Sequence, residues 1–225
     1  MFKSLVFSAL LAYAVAAPMS SMTTAIDRID QIFQAEDSTP ACNAETRRFN
    51  ACFKDINEKS RLEMFQDVTK FPSKSEVLES VADIRKALKC AGEPVCSKQK
   101  LTKYASELVI YAGEKIYGEG FGCVNQNDMV RFYTACVLSE VPMDQLQGFT
   151  FKTVLQYAKP VTSCFAKHQE CEESEKAEFY KGMMASVELV DIFVPILEAV
   201  HSGNLEFIHT FDKKFNPKDL DNLKQ

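Results

Sequence analysis

Residues 73–96 read SKSEVLESVADIRKALKCAGEPVC, and the residue types stand in the order of a capped helix. Ser73 lies three residues before Glu76. At that spacing a Ser hydroxyl and a Glu carboxylate can each accept a backbone N–H at a helix start. Val77, Val81, Ile84 and Leu88 then recur every three or four residues, which places them on one helical face. Gly92 and Pro94 close the element, because glycine adopts the left-handed conformation that ends helices and proline cannot continue one.

The same period runs outward in both directions. Toward the N-terminus the predicted faces are Met22, Ile26, Ile29, Ile32 and Phe33, then Phe49, Cys52, Phe53 and Ile56, then Leu62, Phe65 and Val68. Toward the C-terminus Leu101, Tyr104, Leu108, Ala112 and Ile116 mark a long helix up to Gly118. Met129, Phe132, Tyr133, Cys136 and Val137 form the next face, and Val154, Tyr157, Val161, Cys164 and Phe165 another, kinked at Pro160. A last long helix, capped by Ser174, carries Met183, Val187, Val190, Val194 and Leu197, is bent by Pro195 and stops at Gly203-Asn204. Short helices are expected around Leu205–Phe211 and from Pro217. Only Phe149-Thr150-Phe151 suggests extended chain. The fold class is all-α.

Cys90 and Cys96 belong to a wider frame. The eight cysteines are Cys42, Cys52, Cys90, Cys96, Cys123, Cys136, Cys164 and Cys171. The first four are spaced C-x9-C-x37-C-x5-C and the last four C-x12-C-x27-C-x6-C. Both sets run moderate gap, long gap, short gap. Arg48-Phe49-Asn50-Ala51-Cys52 also resembles Arg131-Phe132-Tyr133-Thr134-Ala135-Cys136 with one residue inserted. The chain therefore reads as two diverged copies of a four-Cys helical module, over 42–117 and 123–201. A helical segment precedes them over 17–41 and a tail follows over 202–225. Gly118-Glu119-Gly120-Phe121-Gly122 is expected to be a flexible joint, since it lacks the strand and Lys of a phosphate loop.

The pairing of the cysteines follows from helix geometry. Two antiparallel helices bring the start of one beside the end of the other. Cys52 stands ten residues beyond Cys42, about 15 Å along a helix. Its partner is then Cys90, deeper in the facing helix, and Cys42 is left for Cys96. The same argument pairs Cys136 with Cys164 and Cys123 with Cys171. Each bridge should add about 3–4 kcal/mol by closing a long loop. Zinc is disfavoured, because paired C-x2-C knuckles are absent and no His lies near the cysteines before His168.

The chain has 225 residues, 25% of them charged and 46% hydrophobic, enough to bury a core. Its formal net charge is −5, and −6 once Lys3 is removed with the leader described next. An acidic chain does not suit the phosphate backbone of a nucleic acid, so no nucleic-acid partner is expected. Met1–Ala16 reads as a signal peptide: Lys3 is the positive start, Leu5–Tyr13 the apolar stretch and Ala14-Val15-Ala16 the cleavage site. That apolar stretch is too short to span a bilayer, and Val187–Val200 contains Glu188, Asp191 and Glu198. A secreted, extracellular product agrees with an even set of cysteines.

A secreted, Trp-free helical chain with eight cysteines in this order resembles a nematode family known as domain of unknown function 19. The likeness rests on the eight cysteines and on Phe49 and Phe132 before the second cysteine of each unit, over about residues 42–171. It implies a secreted, disulfide-bonded module and carries no activity or catalytic residues with it.

Little in the chain converges on chemistry. Glu198-x-x-His201 and Glu206-x-x-His209 place Glu and His on one helical face, as di-iron bundles do. They lie eight residues apart and are split by Gly203, so two surface turns are expected and no metal ligands. A cysteine nucleophile needs a free thiolate, which four bridges do not leave. No nucleophile-elbow or zinc-protease motif occurs. Met183, Met184, Val187, Val190 and Phe193 could line a lipid pocket but read as core. Lys98, Lys100 and Lys103 read as a solvated face. No catalytic residue, cofactor or metal is therefore assigned, and no enzyme is expected. The functional expectation is a secreted, non-catalytic module binding an extracellular protein or glycan. The alternative is an extracellular carrier of a lipid or other apolar small molecule.

Overall fold

The Ser73–Glu76 pair forms the cap its spacing dictates. Ser73 Oγ accepts from the Glu76 N–H at 3.3 Å, and the Glu76 carboxylate accepts from the Ser73 N–H at 2.7 Å. The helix it opens, α2, runs Lys74–Ala91 and buries Val77, Val81 and Ile84. Gly92, at φ 71°, closes it by donating to the Leu88 carbonyl at 3.0 Å.

The computed structural model describes residues 29, 31–33, 39–63, 72–124, 129–147 and 150–223. The leader, and the face positions Met22, Ile26, Leu62, Phe65 and Val68, fall outside the described side chains. Helix α1 runs Pro40–Glu63, α2 follows, and α3 runs Ser97–Glu114. A π-helical turn, Lys115–Glu119, extends α3, and a 3-10 turn, Phe121–Cys123, precedes α4, Met129–Glu140. Then come α5, Met143–Gln147, α6, Phe151–Lys167, and α7, Glu173–Ser202. Two short helices end the described chain, α8 at Glu206–Thr210 and α9 at Pro217–Asp221. Among the described residues there is no strand, and none of their helices is long and apolar enough to cross a membrane.

The helices pack in the order α1, α2, α3, α7, α6, α4. Helices α3 and α7 lie side by side at the centre, and each carries a helical pair on its far side. The order α1–α2–α3 is thus repeated by α4–α6–α7. The apolar side chains of both sets meet in one cluster that includes Leu101, Leu108, Phe165, Phe179 and Ile192.

Four disulfides fasten this arrangement, and no cysteine of the chain is free. Cys52–Cys90 and Cys136–Cys164 join the outer helices to their neighbours, with Cα atoms 5.8 and 5.7 Å apart. Cys42–Cys96 and Cys123–Cys171 tie the start of each set to the start of its central helix, α3 or α7, at 5.7 and 5.1 Å. The pairing is nested in both sets, and no bridge crosses between them.

Glycines permit close helix approaches at two places. A Cβ at Gly113 of α3 would stand 2.6 Å from Val81 Cγ2 of α2. A Cβ at Gly182 of α7 would stand 2.6 Å from Ile116 Cγ1 and 3.1 Å from the Ala112 carbonyl. The glycine-rich stretch after α3 is therefore not a loose joint. Gly120 is buried, and a Cβ there would lie 2.7 Å from both the Phe179 nitrogen and the Lys115 carbonyl. The stretch is short because it is wound into the π and 3-10 turns and pressed against α7.

Three further expectations are corrected by local hydrogen bonding and packing. Thr150 is extended, but as the cap of α6: its hydroxyl accepts from the Thr153 N–H at 3.3 Å, and helix begins at Phe151. Helix α7 begins at Glu173 with Glu172 as its cap residue, ahead of Ser174, and Glu173 and Glu175 supply the negative charge that suits a helix start. Lys98 is not on a solvated face. It is 4% exposed, and its ammonium donates to the Ile32 carbonyl at 3.4 Å.

Candidate functional site

Tyr104 and Tyr111 are seven residues apart on α3, two helical turns, and so share one face. That face meets Glu188 of α7, whose carboxylate accepts a hydrogen bond from the Tyr104 hydroxyl. Asp191, one turn further along α7, lies on the rim of the same groove. Burial raises the Tyr104 hydroxyl above its ordinary range, and Glu188, Asp219 and Asp191 push it the same way. Burial and the neighbouring Glu188 likewise raise the Asp191 carboxyl, against the pull of Lys213.

The groove is covered by the chain's own C-terminal end. After α7 stops at Gly203, in the left-handed region at φ 74°, α8 lays Ile208 fully buried against α3 and α7. Residues 211–216 then run without helix. In an extended chain residues two apart face one side, so Phe211 and Phe215 point together. Phe211 meets Tyr104 edge-on with ring centroids 5.4 Å apart, and Phe215 meets Tyr111 at 5.7 Å and Tyr104 at 6.3 Å. The Tyr111 hydroxyl donates to Asp221 at 2.8 Å, Lys100 pairs with Asp212, and Leu220 is buried. We call residues 204–223 the strap.

A second cluster surrounds one disulfide. Cys136, Cys164 and His168 have ligand-type atoms within 4.8 Å of one another, the one such group of three among the described residues. The two sulfurs are bonded to each other, which removes both as thiolate ligands. His168 Nδ1 is 2.8 Å from the Cys164 carbonyl, a bond in which the ring N–H donates.

The remaining sequence candidates separate. His201 and His209 are exposed, as are Glu198 and Glu206. Met183, Met184, Val187 and Val190 are buried in the core, and Phe193 is half-buried. Lys100 and Lys103 are spent on ion pairs, Lys103 reaching Glu93 at 2.8 Å and Glu107 at 3.3 Å. On the outer helix α4 and at the start of α5, Leu138 and Met143 are 59% and 66% exposed.

Sequence reasoning placed Tyr104 on a helical face but missed the groove and its cover. The available signal was Phe207, Phe211 and Phe215, three aromatics at intervals of four in an otherwise charged tail. Set beside known protein families, curated proteins and solved structures, the chain finds no match.

Proposed function

We propose that the chain is a secreted, non-catalytic interaction module that binds an extracellular protein. The carrying observation is the state of α4. Cys136–Cys164 locks this outermost helix to α6, while Leu138 and the nearby Met143 are left largely in water. A large apolar side chain held exposed on a fixed helix suits contact with another protein, since an interface centre needs apolar anchors that are already ordered. The leader-like Met1–Ala16 and the likeness of the cysteine frame to the secreted nematode family support the same reading. The strongly shifted groups serve contacts between helices. Burial raises the Glu178 carboxyl, but hydrogen bonds from Lys115 and Lys181 overcome this and hold it at about 2.

The test uses the protein purified from its own source. Native mass spectrometry should find it without an apolar ligand. A photoreactive group at Leu138 should crosslink an extracellular protein, and the crosslink should be lost in Met143→Asp. A lipid released on denaturation would replace this reading with that of a carrier.

A further inference from the structure

The groove between α3 and α7 is occupied, and its occupant reports what it recognises. Three observations separate the strap from the body it covers. The last cysteine is Cys171, so no disulfide reaches the strap. Among the described residues, the backbone hydrogen bonds of 204–223 that lie outside its helices stay within that segment or go to Ser202, and none goes to α3. Beyond the Ile208 anchor, the attachment is by side chains: two Phe rings, Leu220, and the polar contacts of Asp212 and Asp221. A segment held this way opens locally at far lower cost than a stapled helix.

The body side of the contact is aromatic, acidic at Glu188 and Asp191 where it faces Lys213, and basic at Lys100, which pairs with Asp212. Tyr104 and Tyr111 receive the rings, and Glu188 and Asp191 rim them. Lys213 stands between Phe211 and Phe215, and its positive charge acts on Asp191. With the strap lifted, two Tyr rings would face water and Asp191 would lose that basic neighbour. The complement of this groove is an extended segment with two aromatic side chains four residues apart and a basic residue between them.

We propose that the α3–α7 groove is a peptide-docking site which the strap occupies in cis, and that a segment of a partner protein with the pattern aromatic-x-basic-x-aromatic displaces it. The inference rests on the reading of the chain as an interaction module and names a surface distinct from Leu138 and Met143. Strap and partner segment compete, so a tethered strap present at an effective concentration in the millimolar range sets how tightly the partner must bind.

The experiment keeps the full chain intact. Hydrogen exchange is followed by mass spectrometry while a synthetic peptide covering residues 210–223 is added at up to about 1 mM, to match the tethered strap. Exchange of amides 211–223 should rise more than about threefold and saturate, with α3 and α7 unchanged, as local displacement requires. A peptide carrying Lys213→Glu should have a weaker effect, and the protein should stay monomeric. Strap amides that exchange only with global unfolding would overturn the proposal. So would an opening strap that ignores the peptide, or equal effects of the two peptides. A dimer with exchanged straps would make a second copy the occupant and overturn the assignment to a partner protein. Crosslinking at Leu138 that survives any of these failures would leave the interaction reading standing without this groove.

Discussion

Gly182 of α7 faces Ile116 so closely that a Cβ at position 182 would stand 2.6 Å from the Ile116 Cγ1. Behind it lie the Lys115 Cβ at 2.9 Å and the Ala112 carbonyl at 3.1 Å, neither of them the mobile end of a side chain. The central helix pair must separate to admit any larger residue. Gly182→Leu should therefore destabilise the protein by about 2–4 kcal/mol, at or above the usual cost of overpacking. Gly118 has nothing within 4 Å of the same added atom, and Gly118→Ala should stay within about 0.5 kcal/mol of wild type. Urea midpoints of the two variants check the contrast.

Glu45 of α1 supplies a cap that α3 lacks locally. Cys96 stands at the cap position with no side-chain hydrogen bond of that kind and is bonded to Cys42. The Glu45 carboxylate accepts instead from the Val95 N–H at 3.0 Å and the Cys96 N–H at 3.1 Å. Glu45→Ala should cost about 1–2 kcal/mol, as for a lost cap, while Glu45→Gln, which keeps one acceptor, should cost less. Denaturant unfolding of both variants measures the difference.

Reduction should proceed in an order set by access. Cys90 is exposed and Cys52 half-buried, whereas Cys136 and Cys123 are 2% and 1% exposed. A thiolate must reach a sulfur to attack it, so Cys52–Cys90 should open first under mild reductant. Timed alkylation with peptide mapping should find Cys52 and Cys90 labelled before any other pair. Early labelling of Cys136 would contradict the burial argument.

Two carboxylates give stability opposite slopes in pH. Glu178 is held down at about 2 against an ordinary 4.5, so its contribution is complete above 4.5 and fades as pH falls toward 2. Asp191 is raised above 3.8, so the folded state favours its protonated form and stability is lost as pH rises through the raised value. Glu178→Gln should weaken the protein at neutral pH, by roughly 1–3 kcal/mol for charged hydrogen bonds, with little loss at pH 2. Asp191→Asn should gain on wild type as pH rises from 4 to 7. Urea titrations from pH 2 to pH 7 test both signs.

Helix positions were readable because each depends on neighbours a few residues away. The Ser73–Glu76 cap and the face of Val77, Val81 and Ile84 are local patterns, and the nested disulfides follow once two helices are laid antiparallel. What escaped depends on distant partners. Lys98 looks like an exposed charge until the Ile32 carbonyl arrives from 66 positions away. Gly120 looks like a hinge until the Phe179 backbone closes on it. The groove needs Tyr104, Glu188 and Phe211 together, from three elements, and no spacing within one element announces that meeting.

The mirrored order of helices bears on how the chain must be made. The face of α3 that carries Leu101 and Leu108 is completed by α7, which emerges from the ribosome only after α4, α5 and α6. At about 5–20 residues per second, the first half waits several seconds with its long helix uncovered. In an oxidising compartment its two disulfides can already form in that interval, since both partners of each lie upstream. The early staples thus hold a half-built body in register until its missing wall is synthesised, and a chaperone that shields apolar helices would find its substrate in that interval.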